Sequence, residues 1–270
     1  MRVLSLFDGM SCGQIALRQL GIKVDTYYAS EVDKFAIAQT MLNFPDTIQL
    51  GDVRNIDART LGHIDLLMGG SPCQSFSFAG KRAGMSTKQN EEIYTLERYL
   101  ELKQAGFEFE GQSYLFWEYV RILQELRENN PDVYFLLENV EMGKKWEKVL
   151  SEAIGLQGVH INSALVSAQI RKRIYWTNIR TARTLLGDLY TDIPQPEDRG
   201  ILLRDILEDD ADVDEKYYLS DEVVQKLIEH KRRNAEAGNG FGAVFHTGGG
   251  GKMHALKIGG KGVDDLVLVE

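Results

Sequence analysis

Residues 2–13 read RVLSLFDGMSCG, a short apolar run, an acid and two glycines four positions apart. An apolar run that stops in a glycine turn has the layout of a buried parallel strand feeding a helix. Ile15, Leu17 and Leu20 carry the helical pattern onward from Gly13, and Gly21 stops it. The unit then repeats. A strand at 24–29 runs to Glu31, and a helix at 34–43 follows before Pro45. A shorter strand at 48–50 ends in Gly51-Asp52, and a strand at 64–68 runs into GGSPCQSF. After a long polar stretch (71–112) come a helix at 114–128, an apolar strand at 133–137 ending in Glu138-Asn139, a helix at 145–154, and strands at 160–166 and 174–179. Alternation of this kind predicts an α/β fold built on a doubly wound, mostly parallel sheet. Pro194 and Pro196, an acidic run and the glycine-rich GNGFG and TGGGGK segments change the composition. They place a boundary near 195, giving a first domain of 1–195 and a linker plus smaller region of 196–270.

Composition narrows the function classes. The chain has 270 residues, 43% hydrophobic and 26% charged, which suits a packed globular core. No apolar run reaches the ~18 residues needed to cross a bilayer, and no signal-peptide pattern is present, so a cytoplasmic protein is expected. Two cysteines, Cys12 and Cys73, cannot build a disulfide scaffold or a four-thiolate zinc site. The net charge of −9 disfavours nonspecific nucleic-acid binding. The segment 226–261 nevertheless carries seven basic residues against Glu229 and Glu236.

In an open parallel sheet, ligands sit beyond the carboxyl ends of the strands. Phe7-Asp8-Gly9, Glu31, Asp52, Pro72-Cys73-Gln74 and Glu138-Asn139 all fall there. FDGMSCG is not the GxGxxG of a dinucleotide site, whereas Glu31 can accept both hydroxyls of a ribose and Asp52 an adenine amino group. A nucleoside cofactor without a pyrophosphate therefore fits better than a nicotinamide; the plainer alternative is a structural turn with two solvated carboxylates. Cys73 lies on a loop with Lys81 and Arg82 beyond it, a setting for a nucleophilic thiolate, although an isolated cysteine is as readily a small buried apolar residue. A carboxyl group at the end of an apolar strand, Glu138, risks losing its hydration, the condition under which an acid donates protons; capping a helix is its other reading. Gln169, Arg171 and Arg173 alternate and should share one strand face, suited to an anion or a base edge.

Taken in order, FDGMSCG, Glu31, Asp52, SPCQSFS, LLENV and QIRKR resemble the DNA (cytosine-5) methyltransferase family across about residues 1–180, and the 81–123 and 199–209 segments resemble its phage and prophage branch. The resemblance implies a Rossmann-like, S-adenosyl-L-methionine-dependent fold with the start of a target-recognition region in 196–270. It also implies methyl transfer to carbon 5 of a cytosine flipped out of double-stranded DNA. Phe7, Asp8, Gly9 and Gly13 would line the methionine end of the cofactor; Glu31 would hold the ribose and Asp52 the adenine, with Val32 and Val53 packing beside the ring and Pro72 and Leu115 alongside. Cys73 would attack carbon 6, Glu138 would protonate ring nitrogen 3, and Arg171 and Arg173 would hold the base. Gln74, Ser77, Asn139 and Gln169 would contact substrate. The family's late arginine-leucine-threonine-proline and glycine-asparagine segments and its last helix are not found by residue 270. That implies a truncated form or a chain completed by a second one, with an apolar patch left on the first domain. The competing expectations are a noncatalytic or partner-dependent DNA-binding subunit and an RNA cytosine-5 methyltransferase.

Overall fold

The computed structural model describes residues 1–73, 85–89, 91–238, 242–247, 250–254 and 265–268. The chain divides into two compact units, residues 1–161 with 173–194, and residues 162–172 with 195–270. Residues 162–172, which carry Gln169 and Arg171, go with the second unit, whereas the sequence placed everything before 195 in the first.

The first unit runs β1 (Arg2–Leu6), α1 (Cys12–Gln19), β2 (Thr26–Ser30), α2 (Lys34–Asn43), β3 (Ile48–Gln49), β4 (Leu66–Gly70), α3 (Leu96–Gln104), α4 (Phe116–Asn129), β5 (Tyr134–Val140), α5 (Lys144–Ile154) and β6 (Val159–Asn162). After β7 (Gln169–Ile170) of the second unit, β8 (Lys172–Thr177) returns to the sheet, and β9 (Thr181–Arg183) and β10 (Leu189–Thr191) form a hairpin. The seven-stranded sheet has the order β3-β2-β1-β4-β5-β8-β6, parallel from β3 through β5 and antiparallel between β5 and β8. This is the mixed α/β sheet expected from the alternation of strand and helix.

Burial explains which runs became which strands. β1 sits between β2 and β4, and Val3, Leu4 and Leu6 are all fully buried, which requires an apolar run without alternation. β5 instead alternates: Phe135, Leu137 and Asn139 are buried, while Leu136, Glu138 and Val140 are half-exposed. Leu4, Leu6, Leu67, Phe135, Leu137 and Trp176 form one core with the apolar stripes of α3, α4 and α5. Val3, Tyr27, Ala29, Leu66 and Met68 face the other way, against Leu17 of α1. Asp33 caps α2 by accepting from the Phe35 and Ala36 backbone N–H groups, yet α2 buries only Thr40 and leaves Phe35 and Leu42 exposed.

The β6 side is close-packed. A Cβ on Gly158 would lie 2.6 Å from Ile174 Cγ2 and 2.8 Å from Trp176 Cε2. Both neighbours are fully buried, and Trp176 Nε1 donates to Ser151 Oγ at 2.9 Å, so neither can step aside. Gly158→Ala is therefore expected to cost about 1–3 kcal/mol and lower Tm by roughly 3–10 °C. Thermal denaturation checks this, and an unchanged Tm would show that the contact yields.

In the second unit α6 (Asp221–Glu236) precedes β11 (Val244–Thr247), β12 (Met253–His254) and β13 (Asp265–Leu268). β12 pairs in parallel with β7, and β11 with β13. Lys252 Nζ, next to β12, binds the Ala164 and Ser167 carbonyls and so ties the 250–254 segment to the stretch that carries Gln169 and Arg171. Among the described residues, no helix is long and apolar enough to cross a membrane.

Candidate active site

The turn after β1 is held in a demanding shape. Phe7, Gly9 and Ser11 take φ of 56°, 57° and 61°. For the two non-glycine residues this left-handed backbone costs on the order of 1–3 kcal/mol each and persists only when its surroundings impose it. Asp8 supplies that constraint by turning inward: its carboxylate accepts from the Ser11 hydroxyl and, at 2.8 Å, from Tyr27 OH. Gly13 is required by packing, since a Cβ there would lie 2.6 Å from Met68 Cε and 3.0 Å from Tyr27 OH. Asp8 and Gly13 thus build the turn from behind.

A cleft of about 360 Å³ opens beside this turn, at the carboxyl ends of β1, β2 and β4. Phe7, Glu31, Val32, Asp52, Val53, Pro72 and Leu115 all line it, seven of the ten residues expected around a cofactor. Glu31 is fixed by the backbone: Oε2 accepts from Gly9 N at 2.8 Å, and Oε1 from Val32 N at 2.8 Å and Asp33 N at 2.9 Å. Asp52 is gripped by Arg54, whose Nη2 lies 2.5 Å from Oδ2 and whose backbone N–H lies 2.9 Å from Oδ1. The hydrogen bonds from the Arg54 side chain hold the Asp52 carboxyl below its ordinary 3.8. Arg54, Ser30, Gly111, Gln112 and Tyr114 complete the wall. None of these five was expected from sequence. Tyr114 and Gln112 adjoin the recognisable Leu115, and an arginine two places after an acid is the pattern of a local ion pair.

The cleft reaches Pro72, and the next residue is the half-buried Cys73. β4 and β5 pair so that Gly70 stands opposite Glu138, and a Cβ on Gly70 would come within 3.0 Å of Glu138 Oε2. Asn139, expected among the substrate contacts, is 1% exposed. Its amide donates to Ser71 Oγ at 2.9 Å, so it holds the Ser71-Pro72-Cys73 stretch against β5. Arg173 lies opposite Val140, one diagonal step from Glu138 on the same sheet face, and its Nε reaches Glu138 Oε1 at 2.7 Å. The Glu138 carboxyl group is thus paired with Arg173 and 28% exposed, where the sequence suggested an unhydrated one. It caps no helix: it lies inside β5.

Gln169, Arg171 and Arg173 are all half-buried, while Ile170 and Lys172 between them are exposed. Arg171 falls between β7 and β8, with its backbone bonded to Asn162 and Ser163, and it belongs with Gln169 to the second unit, whereas Arg173 belongs to the first. Gln74 and Ser77 lie outside the described residues. A larger cavity of about 820 Å³ lies between α5 and β10, lined by Lys144, Glu147, His160 and Leu189 among others, and none of the expected site residues lines it.

Comparison with known proteins extends this picture. The family model described as C-5 cytosine-specific DNA methylase matches residues 1–258. The orphan methyltransferase M.Rho11sI of Bacillus phage rho11s is 30% identical over 87% of this chain and 49% of its own length. M.SPRI of Bacillus phage SPR is 30% identical over 84% of this chain and 54% of its own, and the type II methyltransferase M1.ScrFI of Lactococcus lactis subsp. cremoris 30% over 89% and 57%. The chain therefore spans about half the length of the curated relatives it matches. Crystal structures of a Spodoptera frugiperda DNMT2 mutant and of S. pombe Dnmt2 share the fold, with TM-scores of 0.58 and 0.57 at 19% and 17% identity; each match covers 93% of this chain, and 68% and 69% of theirs. The family match, the sheet order and the strand-end motifs agree: the chain belongs to the C-5 cytosine-specific DNA methylase family.

Proposed function

We propose that this protein transfers a methyl group from S-adenosyl-L-methionine to carbon 5 of cytosine in double-stranded DNA, with Cys73 as the nucleophile. One observation carries the reading: a nucleoside-sized cleft bearing two fixed carboxylates at one end runs to Pro72, next to Cys73, and the Glu138–Arg173 pair stands on the strand alongside.

The cleft fits the cofactor by size and by donor set. About 360 Å³ lies within the usual range for small-molecule sites. Glu31, held by three backbone donors, presents a carboxylate to ribose hydroxyls; the ionised Asp52 accepts from an exocyclic amine; Val32, Val53 and Leu115 offer apolar flanks. When bound there, the cofactor supplies an electrophilic methyl group on a sulfonium.

The chain's own residues would do the rest. The Cys73 thiolate forms a bond to carbon 6 of the cytosine. Glu138 gives a proton to ring nitrogen 3, which accepts the displaced electron density and leaves carbon 5 nucleophilic. Arg173 orients Glu138 through the 2.7 Å contact and keeps its second oxygen turned toward the β4 end. After methylation, transfer of the carbon 5 proton to water expels the thiolate from carbon 6, and ring nitrogen 3 returns its proton to Glu138, which restores the neutral aromatic ring. Arg173 and Arg171 would hold the base, Gln169 would contact substrate, and the basic 226–261 segment would meet the phosphates.

Glu31→Gln keeps the shape but sets an amide against backbone donors, so the Kd for S-adenosylmethionine is expected to rise about tenfold. Isothermal calorimetry reads this directly, and an unchanged Kd would move the ribose elsewhere. The Asp52 carboxyl, depressed in the folded protein, contributes stability that is fully present above its unfolded value of 3.8 and is lost only as pH falls through the lower folded one. Asp52 should accordingly add no inflection to a calorimetric profile of cofactor affinity from about pH 9 down to about pH 5. The function itself is tested by label transfer from methyl-tritiated cofactor to duplex DNA and to transfer RNA in parallel. The proposal expects 5-methylcytosine in DNA; label confined to RNA would overturn the substrate assignment.

A further inference from the structure

The floor and one wall of the cofactor cleft are fixed from behind by charges buried in α4. Glu118 is fully buried, Glu125 nearly so, and Arg121 sits between them at 14% side-chain exposure. Arg121 Nε donates to Glu118 Oε2 at 2.7 Å and Nη1 to Glu125 Oε1 at 2.6 Å. The same guanidinium reaches the other way into the 52–58 segment, Nη1 to the Ile56 carbonyl at 2.9 Å and Nη2 to the Val53 carbonyl at 3.2 Å. Glu125 Oε2 adds a bond from Ala58 N at 2.9 Å. That segment lies in no strand or long helix, so its carbonyls need partners from outside. It also carries Asp52, Val53 and Arg54, three residues of the cleft wall.

Glu118 governs the facing wall too. Its Oε1 accepts from Tyr99 OH and from Lys103. Tyr99 packs on Phe109 and Tyr114, whose rings stack at 4.5 Å, and Tyr114 lines the cleft. A set of buried ions is a costly way to gain stability, since apolar side chains of equal volume do as well or better. A planar fork with five donors, by contrast, suits the capture of two carbonyls and two carboxylates at once.

We infer that Arg121 is a positioning residue for the cofactor: it fixes the Asp52–Arg54 wall against the Tyr114 wall, and so sets the shape of the adenosyl end without touching the reacting atoms. The inference rests on the cofactor assignment proposed above.

Arg121→Lys keeps the charge but can satisfy only part of this set. Calorimetry with S-adenosylhomocysteine on the full chain is expected to show about tenfold weaker binding. The KM for DNA and the kcat at saturating cofactor should stay within about twofold. A residue of purely structural importance would lower Tm and the active fraction while leaving the Kd per folded molecule unchanged, and that result overturns the inference. Should Arg121→Lys fail to fold, Glu125→Gln weakens the same fork without changing its volume. It is expected to weaken binding about threefold; an unchanged Kd there overturns the inference equally. If wild-type protein binds S-adenosylhomocysteine and the variants bind it alike, only the role of Arg121 falls. If wild-type protein does not bind it, the cofactor assignment falls as well.

Discussion

Cys73→Ala should abolish methyl transfer, with kcat reduced at least ~10⁴-fold, while S-adenosylmethionine binding stays within about twofold of wild type. The asymmetry follows from where the thiol sits. Among the described residues the cleft is lined as far as Pro72 and not by Cys73, so the described cofactor contacts survive truncation of the thiol. No other described thiol can replace it: Cys12 is the second cysteine of the chain, and it opens α1, outside the residues that line the cleft. Cys73 is half-buried, so the loss of one sulfur should lower stability by less than a core truncation would. Single-turnover label transfer and calorimetry measure the two quantities separately. Residual activity within tenfold of wild type would remove Cys73 from the chemistry.

Glu138→Gln should lower kcat by about 10²–10⁴-fold, because the amide cannot give ring nitrogen 3 a proton. Cofactor affinity should not move, since Glu138 lies outside the cleft lining. The amide still presents an oxygen to Arg173, so the β5–β8 diagonal contact is weakened and not lost. Glu138→Ala removes this contact altogether, at an Arg173 side chain that is only 16% exposed. Stability should therefore fall further in the alanine variant than in the glutamine one, while both lose turnover. Equal kcat in wild type and Glu138→Gln would assign the proton to another donor.

Much of this site could be read from the chain before any coordinates. Apolar runs ending in Asp8, Glu31, Asp52, Cys73 and Glu138 place chemistry at one sheet edge because a parallel sheet puts all its carboxyl ends together. β1 shows why the reading works, since a strand buried on both faces has no choice but a continuous apolar run. What escaped has equally physical reasons. Gly111 and Gln112 come from a polar stretch without periodicity, and Tyr114 from the start of the helix expected at 114–128, where nothing in the pattern marks it as a cleft residue. Arg121 was hidden inside the helical pattern of α4, where charged residues pass for a solvated face. The available signal was Glu118, Arg121 and Glu125 at spacings of three and four along a helix whose other positions are apolar on several sides. Asp8, Gly13 and Asn139 were legible as motif letters, but their inward orientation was not, because a side chain's direction at a strand end depends on the partner it finds.

The most direct test of the account is covalent capture. Duplex DNA carrying 5-fluorocytosine, incubated with the protein and S-adenosylmethionine, cannot release the ring after methylation, because fluorine does not leave carbon 5 as a proton does. Peptide mapping by mass spectrometry should then find the nucleotide on Cys73 and on no other residue, with capture lost in Cys73→Ala. A methylated product formed with no adduct, or an adduct on a different side chain, would contradict the account.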